Sequence, residues 1–290
     1  MNILITGHKG FVGKYFLNKY DSHNIVGIDI KDGQDARDFF KKDTSSFDIV
    51  IHLAAIVGGR QTIENSPISV AVDLSIDAEF FGWCLRAKPK HIIYFSSSAA
   101  YPIEHQYRDS SILLREDMID LDNIKSPDLT YGWAKLTGEY LAKFVSNEGI
   151  NTTIFRPFSG YGSDQDLSYP FPSFIRRGLQ KNNPFQIWGD GNQVRDFIHI
   201  KDIIDAVDEC VKNQIYGTYN LGTGIPTSFN TLCKMICSQQ RYSPNIEYMP
   251  SAPTGVMYRV CDPSLMLQFY KPKISLEEGI SQALKESSYE

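Results

Sequence analysis

The stretch NILITGHKGFVG, residues 2–13, decides how the rest of the 290-residue chain is read. An apolar run, residues 2–6, enters a turn carrying Gly7, Gly10 and Gly13, and Phe11 and Val12 open a helical segment within it. Glycines let a backbone turn tightly and approach a pyrophosphate, and a helix N-terminus offers free N–H groups and the positive end of a dipole. The spacing is GxxGxxG rather than the commoner GxGxxG, and a glycine triplet by itself is also ordinary turn chemistry. The segments that follow carry the decision. NIVGID (24–29), DIVIHLA (48–54), HIIYFS (91–96) and TTIFR (152–156) read as strands, near-continuous in apolar residues as in a parallel sheet buried on both faces. Between them, 11–20, 36–43, 67–87 and 130–148 read as helices, with Pro67 near one start and Gly149 just past one end. This alternation predicts an α/β fold, a Rossmann-like doubly wound parallel sheet.

After residue 157 the rhythm changes. Turn-rich segments such as YGSDQDLSYPFP and QKNNPFQIWGDGNQ are followed by shorter elements: helices near 171–181, 201–212, 228–240 and 275–286, and a strand near 185–188. The expected organisation is a cofactor domain over 1–157 and a smaller, mixed substrate-binding region over 158–290. Segments within 196–221, strand 218–221 above all, are candidates to return to the large sheet. A net charge of −5 gives no basic surface for nucleic acid, and no apolar run approaches the length of a membrane span. The N-terminus has no basic and apolar signal-peptide pattern, so a cytoplasmic location is expected. Five scattered cysteines predict reduced thiols. Cys233 and Cys237 share a helical face with no second Cys/His pair nearby, so no metal site is expected.

Asp29 ends the second strand, where a carboxylate accepts hydrogen bonds from adenosine ribose hydroxyls and repels a 2′-phosphate. With Ile30 beside it, Asp29 makes NAD the expected cofactor, and Lys31 keeps NADP open. Asp35 caps the helix that begins at Ala36 or faces the adenine, and the two roles are compatible. Leu53, Ala54 and Ala55 follow the third strand and Pro157 ends the fifth. All lie on the carboxyl edge of the sheet, where ligands of open parallel sheets bind.

YGWAK places Tyr131 and Lys135 four residues apart on one helical face, which in isolation is most often a surface pair. SSSAAYP (96–102) ends the fourth strand on the same edge. A phenol is a poor base at neutral pH, and a nearby ammonium favours its phenolate. The expected catalytic set is Tyr131 as proton acceptor, Lys135 lowering its pKa and holding ribose hydroxyls, and Ser97 bonding the same substrate oxygen.

TGHKGFVG, HLAA, SSSAAY, YGWAK, RPFSGYG and WGDGNQVRDFIHIKD, in this order, resemble the extended short-chain dehydrogenase/reductases that act on nucleotide sugars. The resemblance runs to PTGVMYRVCD (253–262) and implies a nucleotide-diphosphate sugar substrate and a homodimer paired through helices. It also implies a way to tell reactions apart. Relatives that dehydrate, decarboxylate or invert C3 and C5 carry Asp-Glu, Glu or Cys beside the catalytic hydroxyl, where this chain has Ser98 and Ala99. A methyl group moves no proton, and SSSAAY looks most like the C4-epimerases. HLAAIVGG, the proline of SAAYP and PTGVMYRVCD look like the GDP-mannose 3,5-epimerase/GDP-fucose synthase branch. That branch has a His or Lys before the helix near 171, where this chain offers Tyr169. C4 epimerisation through a transient 4-keto sugar is the expected reaction. Reduction of a nucleotide 4-keto sugar by external NAD(P)H is the alternative, and a non-catalytic dinucleotide sensor a third. Arg195 and Arg259 resemble the family's diphosphate-binding arginines, against surface pairs with Asp196 and Asp262. Trp188 is expected near the base or ribose, unless its segment is a plain hairpin turn. Ser159 replaces a common asparagine, and Asp202 is expected to cap a helix.

Overall fold

The structure, a computed structural model, describes residues 1–108 and 110–286. The chain begins in a sheet interior. In β1 (Asn2–Thr6) the side chains alternate, Ile3 and Ile5 entering the core on one face and Leu4 the core on the other. The glycine turn leads into α1 (Phe11–Lys19), then β2 (Asn24–Ile28), α2 (Ala36–Lys42) and β3 (Ile49–His52). Asp35 caps α2, its carboxylate accepting from Arg37 N at 2.9 Å. Next come α3 (Arg60–Asn65), α4 (Pro67–Ala87), β4 (His91–Phe95), α5 (Leu129–Asn147) and β5 (Asn151–Pro157).

The later elements are β6 (Ser159–Tyr161), α6 (Pro170–Leu179), β7 (Phe185–Trp188), β8 (Val194–His199), α7 (Ile200–Lys212) and β9 (Gly217–Leu221). They continue as β10 (Pro226–Ser228), α8 (Phe229–Gln239), β11 (Ile246–Met249), β12 (Tyr258–Arg259) and α9 (Leu276–Glu286). β9 does return to the large sheet, pairing in parallel with β5 from Thr153↔Gly217 to Pro157↔Leu221.

The large sheet has the order β2-β1-β3-β4-β5-β9, all parallel. From β1 the chain winds outward to β2, then crosses to β3 on the other side. The carboxyl ends of β1 and β3 therefore flank a switch point, where a crevice forms. Phe16 of α1 and Ile203 and Val207 of α7 cover one face; Phe40 of α2, Phe80 and Trp83 of α4 and Val145 of α5 cover the other. A smaller mixed sheet has the order β10-β8-β12, with β6 also on β8, and β7 pairs with β11. α6, α8 and α9 pack around a third core with these strands. Trp188 ends β7, and the turn after it joins two different sheets rather than closing a hairpin.

One expectation is corrected. α7 is capped by His199, whose Nδ1 accepts from Lys201 N at 3.2 Å. Asp202 is instead buried, accepting from Tyr270 Oη at 2.7 Å and from the backbone of Lys273 and Ile274. It anchors the C-terminal segment by accepting from three of its donors at once. The five cysteines are all free and buried.

Candidate active site

The serine run ends β4 in three different environments. The Ser96 hydroxyl turns inward onto Glu139. Ser97 keeps extended backbone, its Oγ accepting from Ala99 N at 3.1 Å, and so starts the single turn Ser98–Ala100. Ser98 and Ala99 are buried beside it. α5 begins against this turn. A Cβ on Gly132 would stand 2.5 Å from Ala99 O, so only glycine lets the helix come this close. That approach brings the Tyr131 phenol beside the Ser97 side chain, close enough for the hydroxyl to lower the phenol's pKa.

Lys135, one turn on, is buried, with Nζ 5.9 Å from the Tyr131 ring centroid and 5.3 Å from that of Tyr94. Burial pushes the Tyr131 phenol well above its ordinary value, and Asp73 and Asp77 add to the rise. The Ser97 hydroxyl pulls it back. Burial is the larger cause of that rise, and the two acids that α4 brings beside the pair come after it. Asp73 is 1% exposed; its Oδ1 accepts from Ile56 N at 2.5 Å, and its Oδ2 has no partner. Burial pushes its carboxyl up to about 6 against the pull of Lys135. Asp77 accepts from Tyr94 Oη at 2.6 Å and faces His52 Nε2 at 3.2 Å. The phenol of Tyr169, the residue that caps the start of α6, is pushed up by burial and further by neighbouring Tyr131.

Below the serines lies a buried ion pair. Arg156 of β5 binds Glu139 of α5 through Nε at 3.0 Å and NH2 at 2.7 Å, and its NH1 donates to Tyr101 Oη at 3.1 Å. Tyr101 Oη donates to Asn220 of β9 at 2.6 Å. The network fixes the serine turn to three elements at once.

The glycine turn forms the second part of the site. Gly7 has φ +70°, its N bonds Ile28 O at 2.7 Å, and a Cβ on Gly13 would stand 2.3 Å from Gly7 O. The turn is thus a bare backbone cradle at the start of α1, and it fits a dinucleotide pyrophosphate. Asp29 accepts from Lys9 N at 2.8 Å and Lys31 N at 2.9 Å, which closes β2 onto the cradle and leaves lone pairs for hydroxyls. Leu53 N and Ala54 N both donate to Thr6 Oγ1 at 3.2 Å, holding the segment with Ala55 beside the cradle. Ile30 is exposed, Ala36 is packed into the core, and Arg37 holds the Asp35 carboxyl below its usual range.

The third part is cationic. Arg195 of β8 and Arg259 of β12 are paired across adjacent strands. Neither makes the surface pair weighed above. Arg259 NH2 binds Asp128 at 2.8 Å and its Nε binds Gln106 at 2.6 Å. Arg195 spends its donors on Val194 O at 2.8 Å and Thr254 O at 3.2 Å. Asp196 instead accepts from Thr223 and Gly224. Burial, with Arg259 and Arg60 beside it, pushes the Arg195 guanidinium down from its ordinary value. Ser159 pairs with Phe197 at the start of β6 and is half-buried.

A strand–glycine cradle–helix unit beside a Ser–Tyr–Lys set defines a class, and comparison with known proteins agrees. The chain belongs to the NAD dependent epimerase/dehydratase family, whose model matches residues 3–222. It is an NAD-dependent enzyme. It is 26% identical to GDP-L-colitose synthase of Yersinia pseudotuberculosis, over 97% of this chain and 96% of that one. It is 27% identical to a putative UDP-glucose 4-epimerase of Methanocaldococcus jannaschii, over 97% of each. The structure of a UDP-glucuronic acid 4-epimerase from Bacillus cereus, in complex with UDP-glucuronic acid and NAD, superposes with a TM-score of 0.81. It is 25% identical and each chain is covered to 98%.

Three residues of the site escaped the sequence reading. Asp73 had a signal, since Asp73 and Asp77 are two acids four apart within an apolar helix. Asp128 stands three residues before Tyr131, and Arg60 follows the glycine pair of HLAAIVGG, but nothing local marks either as a partner of Arg259.

Proposed function

We propose that the protein is a nucleotide-sugar C4-epimerase. The observation that carries this reading is the Tyr131 phenol beside the Ser97 hydroxyl, with a buried alanine, Ala99, two residues on. When bound, NAD accepts hydride from a substrate carbon and returns it. Gly7, Gly10 and Gly13, with Phe11 and Val12 at the helix start, hold its pyrophosphate; Asp29 takes the adenosine ribose and Lys135 the nicotinamide ribose. Tyr131 removes the proton of the sugar C4 hydroxyl while Ser97 bonds the same oxygen, and the 4-keto sugar turns before Tyr131 returns the proton. No proton need move at C3, C5 or C6, which suits alanine at 99. Arg195 and Arg259 bind the diphosphate as paired guanidinium forks, and Ser98, Ala99, Ser159 and Trp188 line the sugar and nucleoside path. Residues 1–157 with α7 and β9 carry the cofactor, and the remainder carries the substrate. Trp133, Tyr140 and Phe144 are exposed on one face of α5 and make it the interface of a homodimer.

Purified protein loaded with NAD is expected to interconvert a pair of C4-epimeric nucleotide hexoses without added cofactor. Tyr131→Phe should abolish turnover and keep NAD. NADH or NADPH consumption on a nucleotide 4-keto sugar, with no epimerisation of any pair, would identify a reductase instead.

A further inference from the structure

The cationic part of the site is built around a residue that has no part in the reading above. Three guanidinium groups converge, from Arg60 at the start of α3, Arg195 on β8 and Arg259 on β12. Asp128 answers two of them from inside. Arg60 NH1 reaches its Oδ1 at 2.8 Å and its Oδ2 at 3.0 Å, and Arg259 NH2 reaches Oδ2 at 2.8 Å. Glu64 takes the outer edge of Arg60, at 2.5 Å from Nε, and among the described residues Arg195 donates to carbonyl oxygens and lies over the Phe229 ring, with no carboxylate bonded to it. Positive charge is in excess in a region sheltered from water, the condition under which a multiply charged oxyanion binds well.

Asp128 also has a second place to go. It is the N-cap residue of α5, yet its side chain makes no capping bond, because the carboxylate is turned away to the arginines. The backbone bends to allow this: Leu129, the next residue, has φ +55°, a region leucine rarely occupies. A carboxylate at that position would ordinarily accept from the N–H of the second or third helical residue, here Thr130 or Tyr131 itself. Asp128 N meanwhile donates to Ala99 O at 2.9 Å, tying the same residue to the serine turn.

We propose that Asp128 is an internal stand-in for the substrate diphosphate. It holds Arg60 and Arg259 in binding position and yields both to the arriving diphosphate, and its freed carboxylate then caps α5 at Thr130 or Tyr131. Arg60 is thereby a third diphosphate-binding guanidinium. Occupation of the diphosphate site is coupled to the first turn of the helix that carries the catalytic phenol. Asp128 is a positioning residue, since it acts on Tyr131 through the helix and does not touch the reacting atoms. The inference rests on the nucleotide-sugar reading for the identity of the anion alone.

The test is calorimetric titration of the full-length protein with inorganic pyrophosphate, in saturating NAD so that the cofactor cradle is filled. UDP and GDP are titrated in parallel. Asp128→Asn keeps the shape and removes the competing charge. It should tighten pyrophosphate binding at least about tenfold, the scale of one charge-assisted hydrogen bond, and Arg60→Ala should weaken it by a similar factor. Asp128→Ala should bind pyrophosphate as tightly as Asp128→Asn but turn over more slowly, because alanine cannot cap. Unchanged or weaker pyrophosphate binding in both Asp128 variants, with unfolding midpoints like the wild type's, would make Asp128 a scaffold and overturn the inference. Tightening toward pyrophosphate with no binding of UDP or GDP would uphold the anion exchange and remove the nucleotide-sugar reading instead.

Discussion

Asp73→Asn should make the protein more stable at neutral pH while altering the chemistry at Tyr131. Asp73 is almost fully enclosed, one oxygen has no partner, and its carboxyl is pushed from 3.8 up to about 6 by burial. The folded form therefore binds more protons than the unfolded chain between about pH 4 and about pH 6. Stability falls as pH rises through that window and stays at the lower level above it. A shift of roughly two units is worth ~3 kcal/mol at pH 7.5. Asparagine removes this penalty and keeps an oxygen for Ile56 N. For a chain of 290 residues, ~3 kcal/mol raises the midpoint of thermal unfolding by about 5 °C. Denaturant unfolding at pH 7.5 and pH 4.5 is the assay, and the gain should shrink to about 1 kcal/mol at the lower pH. The Tyr131 phenol, relieved of its nearest opposing charge, should titrate at lower pH in ultraviolet difference spectra referenced to Tyr131→Phe. A variant less stable than wild type at pH 7.5, or a gain equal at both pH values, would refute the assignment of an unpaired, destabilising carboxylate.

Three further outcomes are expected. Glu139→Gln strands the buried Arg156 charge and should cost about 3–5 kcal/mol in denaturant unfolding. Gly13→Ala forces a methyl against Gly7 O and should weaken NAD at least about a hundredfold, ~3 kcal/mol, by fluorescence titration, with the circular dichroism of the fold retained. Trp133→Lys combined with Phe144→Lys should give a monomer in sedimentation velocity, since it places charges on the exposed face of α5; a dimer surviving both would move the interface elsewhere.

Much of the fold was legible because its signals are local. The five apolar runs of the first half fall on β1 to β5, and all but the ends of the expected helices are found. A buried parallel strand must be apolar at every position, and a helix start or stop is marked by Pro67 or Gly149 within one turn. The glycine cradle was legible for the same reason: its geometry depends on the conformational freedom of three residues in one turn. Tyr131 and Lys135 were found by their spacing on a single helix.

What sequence could not supply were relations between distant segments. Asp202 looked like a cap because it stands at a helix start, but its partners are 68 to 72 residues away. Arg195 and Arg259 were expected to be phosphate ligands or partners of Asp196 and Asp262, and those acids are not their partners. Arg259 binds Asp128, which also binds Arg60, and these last two stand at two helix starts more than sixty residues apart. The sequence by itself determined the parallel sheet, the cradle, and the serine, tyrosine and lysine that meet at its edge. Only the tertiary structure decided the charges around them: Asp73 beside the tyrosine–lysine pair, and Asp128 among three arginines. Periodicity and turn chemistry act between neighbours in the chain, whereas an electrostatic environment is the sum over whatever folding brings near.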